Sequence, residues 1–234
     1  MSTSKTALVT GGGSGIGAAV VNRLRADGYN VAIIDLNPSE AEHSYVADVT
    51  DRAQIDAALA EIHSALGGPV TILVNAAGKD SFRRFLDLSF EQWQNIVDIN
   101  LHGVFHTIQA VLPDMIEAGW GGRIVNISSS STHSGGVPYM SAYVAAKSGV
   151  NGLTKKSLAL EYGPAGITVN AVPPGFIDTP ELRNAESRGY MGDIQATIDA
   201  TPRCAEWASP RTSPRPARSS SPRKPATSRA RSSA

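Results

Sequence analysis

Short runs of aliphatic and β-branched residues alternate along the chain with stretches whose apolar positions recur every three or four residues. Ala7-Leu8-Val9 is the first such run, and a glycine turn joins it to an amphipathic stretch from Ile16 to Asp27. Val31-Ala32-Ile33-Ile34 follows, then Ser44-Tyr45-Val46. Residues 51–66 place Ile55, Leu59, Ile62 and Leu66 at helical spacing. Beyond them the pattern predicts a strand at 70–74, a helix at 90–117, a strand at 123–127, a helix at 141–162 and a strand at 167–172. The strand runs are continuously apolar, as expected of strands covered by helices on both faces. The fold class expected is α/β, a Rossmann-type doubly wound parallel sheet in three layers.

Charge changes this picture. The 234 residues carry 21 Lys+Arg and 21 Asp+Glu, yet residues 1–202 hold 13 basic and 20 acidic side chains. Residues 203–234 hold 8 basic and one acidic. After Ile198 there is no Val, Ile, Leu, Phe or Met, only a Ser/Pro/Arg/Ala composition that buries too little apolar surface to offset chain entropy. Two parts are therefore expected: a folded domain over 1–202 and a disordered basic tail over 203–234. The single cysteine, Cys204, excludes an intrachain disulfide and a cysteine-pair metal site. No apolar stretch precedes the first strand, and none approaches the ~18 residues of a membrane span. A cytoplasmic protein without a membrane partner is expected.

Chemistry concentrates at three places. Gly11-Gly12-Gly13-Ser14-Gly15-Ile16-Gly17 lies between the first strand and first helix, where glycines let the backbone approach a pyrophosphate at the helix N-terminus. Asp35 closes the second strand, placed to accept hydrogen bonds from an adenosine ribose. Its charge opposes a 2′-phosphate, and no basic residue follows before His43, so NAD is expected over NADP. Tyr143 and Lys147 stand one helical turn apart. A neighbouring cation favours a phenolate, so the spacing predicts a tyrosine of lowered pKa suited to proton transfer. His102 and His106 share i,i+4 spacing but have no third ligand beside them, and no metal is expected. Phe82, His133, Tyr139 and Met140 fall on loops that line either a pocket or the core.

Taken together, the sequence resembles the short-chain dehydrogenase/reductase family. The glycine motif, Asn75-Ala76-Ala77-Gly78, Asn100 in Asp-Ile-Asn-Leu, Val-Asn-Ile-Ser-Ser at 125–129, Tyr143/Lys147 and Pro174-Gly175 occur in family order over residues 5–200. The resemblance implies hydride transfer between NAD and a secondary alcohol or ketone. It makes Tyr143 the general acid/base, with Lys147 on the nicotinamide ribose, a loop serine on the substrate oxygen and Asn100 supporting Lys147 through water. Spacing back from Tyr143 favours Ser130 for that serine, and the strand end favours Ser129, which we prefer. It also implies cofactor contacts from Gly11, Ser14, Gly15, Ile16, Gly17, Asp35, Asp48, Val49, Asn75, Ala76, Gly78, Tyr143, Lys147, Pro174, Gly175, Ile177 and Thr179. Residues 181–200 would form the mobile substrate-covering segment. A small-molecule substrate and a homodimer or homotetramer are implied.

The chain departs from the family after residue 202, where a last helix and seventh strand are expected and the basic tail stands instead. The tail reads as a frameshift: codons for residues 203–214 can be chosen that, read from the third base, give Val-Arg-Arg-Met-Gly-Glu-Pro-Glu-Asp-Ile-Ala, like the family's helix start. The doublets Gly121-Gly122 and Lys155-Lys156 look one residue longer than in relatives. At the second, one extra residue would rotate the rest of the helix by about 100°. Two further readings are a truncated, inactive nucleotide-binding fold and a tail that binds nucleic acid or another polyanion.

Overall fold

In the computed structural model, residues 5–133, 138–190, 192, 193 and 196 are described. The basic tail and Cys204 lie outside them. Six strands form one sheet: β1 (Thr6–Thr10), β2 (Asn30–Asp35), β3 (Ser44–Val46), β4 (Val70–Asn75), β5 (Arg123–Ile127) and β6 (Thr168–Val172). All neighbouring pairs are parallel, in the order β3-β2-β1-β4-β5-β6. The order reverses between β1 and β4, and the crevice outside the strand ends at such a reversal is where an α/β sheet takes its ligand.

The continuous apolar strands resolve by parity. Leu8, Ala32, Ile34, Leu73 and Ile124 face one layer, built from α2 (Arg52–Leu66), α4 (Gly103–Ala118) and α5 (Ser141–Leu153) through Ile55, Leu59, Ile62, Ile108, Met115 and Val150. Ala7, Val9, Val31, Ile33, Ile72 and Val74 face the other, against Val20, Val21 and Leu24 of α1 (Gly15–Ala26). The central strands β1, β2 and β4 thus lose water from both faces, which alternating polar residues would not permit, whereas β6 leaves Thr168, Asn170 and Val172 exposed. Among the described residues the sheet ends at β6, α1 is the helix packed on the second face, and Val172 is 46% exposed.

Both long helices expected from the pattern are interrupted. The stretch 90–117 contains α3 (Phe90–Val97), a π turn (Asp98–His102) and α4, with Ser89 and Gln92 forming a capping box at its start. The stretch 141–162 contains α5, a second π turn (Thr154–Leu158) and α6 (Ala159–Tyr162). This second turn corrects the expected rotation. A π turn holds one more residue than an α turn, so an extra residue at Lys155-Lys156 would be taken up within the turn without rotating the helix beyond it. Leu158, Ala159 and Tyr162 still pack on the core. At the other doublet Gly121 has φ +87°, and a Cβ there would overlap the carbonyl of Gly166. Only glycine meets both demands at low cost. Residues after β6 include α7 (Pro180–Ser187), a helix within the segment expected to be mobile.

A buried polar chain crosses the strand ends. Thr107 Oγ1 donates to Asn75 Oδ1 (2.7 Å), Asn75 Nδ2 to Asn126 Oδ1 (2.9 Å), and Asn126 Nδ2 to Thr154 Oγ1 (2.9 Å). Thr154 Oγ1 donates in turn to Val150 O (2.7 Å). All four residues are buried, and the chain links α4, β4, β5 and α5 with each amide satisfied on both sides.

Candidate active site

A cleft of about 890 Å³ opens at the C-terminal ends of the strands. Its first wall is the turn from β1 into α1. A Cβ on Gly17 would overlap the Gly11 carbonyl, so only glycine lets the helix start this close to the strand. Ser14, at the N-cap of α1, makes no side-chain hydrogen bond there, leaving first-turn amides directed at the cleft. Asp35 closes β2 and bridges two loops: Oδ2 accepts from Gly13 N–H and Oδ1 from Asn37 N–H, both at 3.0 Å. Asp48 is held by Thr50, whose N–H and Oγ1 each reach Oδ1 at 2.8 Å, and its own N–H donates to Gln54 Oε1. Gly11, Ser14, Gly15, Ile16, Gly17, Asp35, Asp48, Val49, Ala76, Gly78, Pro174, Gly175, Ile177 and Thr179 all line the cleft. Thr179 caps α7, its Oγ1 accepting from Leu182 N–H, and stands beside Gly15.

Asn75 departs from expectation. Its side chain is spent in the buried polar chain and does not line the cleft. It holds the end of β4, and Ala76 to Gly78 form the wall.

The reacting end gathers Ser129, Tyr143 and Lys147 around one space. Lys147, 3% exposed, donates from Nζ to Ile127 O at 2.8 Å, and burial drives its pKa down to about 8. Ser129, in extended backbone just past β5, lines the cleft with Tyr143, and its Oγ shares a 2.8 Å hydrogen bond with Ser131 Oγ. Ser130 begins the following 3-10 turn (Ser130–Thr132), its N–H on Pro174 O at 2.9 Å. The Tyr143 pKa is raised, not lowered as the Tyr–Lys spacing predicted. Burial is the largest cause; the nearby Ser129 hydroxyl opposes it, and the charges of Asp80 and Glu181 add to it. The ammonium is spent on a strand carbonyl and lies 5.7 Å from the tyrosine ring centroid, whereas the two carboxyls face the phenol. Asn100, buried in the first π turn, donates to Lys79 O (2.7 Å) and Ile96 O (2.9 Å) and accepts from Lys79 N–H (3.3 Å). It fixes the loop after β4 directly.

Asp80 and Glu181 were not among the expected site residues. Asp80 N–H donates to Glu181 Oε1 at 3.3 Å, and burial together with the neighbouring carboxyl drives the Asp80 pKa up to about 7. No local pattern marks either residue, because they stand 101 positions apart and meet only when α7 covers the loop after β4. Phe82 stacks on Tyr190, centroids 5.5 Å apart, and joins Met140 and Ala185 against Tyr143 and Val144. Of the four candidate loop residues, Phe82 and Met140 line the cleft. His133 and Tyr139 do not: His133 binds Thr132 Oγ1, and Tyr139 is exposed while its carbonyl accepts from Arg83 N–H. His102 pairs with Asp98, and His106 Nδ1 lies 3.2 Å from Val49 O. Among the described residues no group of three His, Cys, Asp or Glu could hold a metal ion.

Comparison with known proteins agrees with this arrangement. Residues 5–189 match the family model of the short chain dehydrogenases. The D-beta-hydroxybutyrate dehydrogenase of Rhizobium meliloti (strain 1021) is 38% identical over 193 residues, covering 76% of this chain and 73% of that protein. The 3-alpha-(or 20-beta)-hydroxysteroid dehydrogenase of Mycobacterium bovis is 43% identical over 186 residues, covering 75% and 70%. The ligand-free structure of Thermoplasma acidophilum aldohexose dehydrogenase superposes with a TM-score of 0.73 at 35% identity, covering 87% of this chain and 78% of that one. The chain belongs to the short-chain dehydrogenase family and is an NAD(P)-dependent oxidoreductase of alcohols and ketones.

Proposed function

We propose that the chain interconverts a secondary alcohol and a ketone with NAD, and that Tyr143 is the general acid/base. The observation that carries this is the convergence of Ser129, Tyr143 and the buried Lys147 on one end of the cleft. The dinucleotide fits the residues present. The open α1 N-terminus suits a pyrophosphate, Asp35 the adenosine ribose, and Asp48 and Val49 the adenine. Ile177 and Thr179 would take the carboxamide, with Lys147 and Tyr143 on the second ribose. When bound, the nicotinamide accepts or supplies the hydride at the substrate carbon. In oxidation the ionised form of Tyr143 takes the alcohol O–H proton as the C–H hydrogen leaves with its electron pair, and in reduction the neutral phenol returns a proton to the carbonyl oxygen. Ser129 donates a hydrogen bond to the forming carbonyl oxygen, and Asn100 holds the loop that closes this end.

Two findings support NAD over NADP. Asp35 is anchored by two backbone amides and cannot swing away from a 2′-phosphate, and Leu36 and Asn37 beside it are uncharged. The reading includes a cytoplasmic homodimer or homotetramer, in keeping with Phe105 on α4 and Leu160 on α6, 47% and 72% exposed, and no nucleic-acid partner. It also keeps a catalytic domain over 1–202 with the basic tail separate. Steady-state assays with NAD and NADP over a panel of secondary alcohols test it. Turnover with NAD that Tyr143→Phe abolishes is expected; undiminished turnover in that variant refutes the mechanism, and a preference for NADP refutes the role of Asp35.

A further inference from the structure

The helix that carries Tyr143 and Lys147 also grips the serine turn through a pair of side chains with no part in the chemistry so far. Thr132 ends that turn. Its Oγ1 donates to the Ser129 carbonyl at 2.7 Å, and the same oxygen lies 2.9 Å from Asn151 Nδ2 and 2.7 Å from His133 Nδ1. A hydroxyl has one proton and two lone pairs, so Thr132 is saturated and His133 presents Nδ1–H to it. Asn151 follows Lys147 by four residues and Tyr143 by eight, and the three emerge along one flank of α5. Nearer the strand, Lys147 holds Ile127 O and Ser128 Oγ reaches Lys147 O at 3.5 Å. Past Ile127 the backbone is held by Ser128 N–H on Val172 O and Ser130 N–H on Pro174 O, and Asn151–Thr132 is a side-chain tie from α5 to the end of the turn.

We propose that Thr132 and Asn151 are positioning residues that aim the Ser129 hydroxyl at Tyr143 by fastening the serine turn to α5. Acid/base group and substrate-orienting group then move as one body, which preserves their alignment when the cleft fills. This rests on the reading of Ser129 and Tyr143 as partners on one substrate oxygen.

The test reads the Tyr143 phenol directly. Titration at 295 nm, taken as parent minus Tyr143→Phe, isolates this tyrosine from the other five. The titratable groups facing it are Lys147 on its own helix, Asp80 on the loop after β4 and Glu181 on α7, and none of them is altered. Thr132→Val and Asn151→Leu are each expected to raise the midpoint by about half to one pH unit, the worth of one hydrogen bond to the ionised form. Ser129→Ala should do the same, Thr132→Ser should retain the parent value, and Thr132→Val should add nothing in a Ser129→Ala background. An unchanged midpoint in both single variants overturns the proposal, and so does an equal shift without Ser129, because the effect would then bypass the serine. Either variant carries the test if the other fails to fold, with far-ultraviolet circular dichroism and NADH binding as controls. A parent that turns over no alcohol defeats the functional reading but leaves this titration intact. In an active parent, kcat should fall about tenfold with the NADH dissociation constant unchanged.

Discussion

Replacing Lys147 with Met should stabilise the protein at neutral pH while abolishing turnover. The ammonium is 3% exposed, and burial lowers its pKa from 10.5 to about 8. At 1.36 kcal/mol per unit, keeping it charged in the folded state costs about 3 kcal/mol. Methionine fills similar volume without charge, but it forfeits the 2.8 Å hydrogen bond to Ile127 O, worth about 1 kcal/mol. The net gain is about 2 kcal/mol, or ~4–8 °C in Tm for a domain of this size. The pH dependence is the sharper test. Between pH 8 and 10.5 the unfolded lysine holds its proton and the folded one does not, so the parent gains stability as pH rises through that window, by about 1.4 kcal/mol per unit at the steepest. Below pH 8 both states are protonated and the penalty is complete. Urea unfolding of parent and variant at pH 7.0 and 9.5 measures the gap; the tyrosines titrate in both proteins and cancel, Tyr143 excepted only as far as Lys147 affects it. The variant's advantage should shrink to a few tenths of a kcal/mol at pH 9.5. A variant less stable than the parent at pH 7, or a gap independent of pH, would refute the reasoning.

Three other outcomes are expected. Asn126→Leu should cost about 2–4 kcal/mol in urea unfolding, since it strands the Asn75 Nδ2 donor and removes the donor to Thr154 Oγ1 in a buried chain, and Thr154→Val added to it should cost less than the two separate losses combined. Asp80→Asn removes a negative charge facing the Tyr143 phenol, so above pH 7 the phenol should titrate lower, moving the alkaline limb of the pH–rate profile down; an upward move would contradict the geometry. The same variant should lose the parent's fall in stability between pH 4 and 7, where the folded carboxyl holds a proton that the unfolded one has released. Restoring the alternative reading frame after residue 202 should raise Tm and protect the β6 amides from hydrogen exchange, and a frame-restored chain no more stable than this one would sink the frameshift proposal.

Much of the molecule was legible residue by residue. Continuous apolar runs separated by amphipathic stretches specify buried parallel strands whatever the loops do, because the central strands β1, β2 and β4 must hide both faces. The glycine turn and Asp35 were legible because a tight strand–turn–helix needs glycine at particular positions, and the carboxylate follows at the next strand end. The Tyr143/Lys147 pair was legible as a spacing, since i,i+4 residues share a helix flank.

What the sequence by itself determined, then, is the layered sheet, the family and the neighbourhood of the chemistry. Only the tertiary structure decided how charges and hydrogen bonds are shared among groups distant in the chain. Asn75 spends its amide on Thr107 and Asn126, 32 and 51 residues away, and so leaves the cleft. The stretch around Lys155-Lys156 forms a π turn that keeps Leu158, Ala159 and Tyr162 packed on the core, which a rotation of about 100° would break. Tyr143 is pushed up instead of down first by burial, and then because Asp80 and Glu181, joined by the placement of α7, face the phenol while Lys147 turns to a strand carbonyl. Spacing can bring a cation and a phenol within reach, but burial and the remaining partners decide which of them the charge serves.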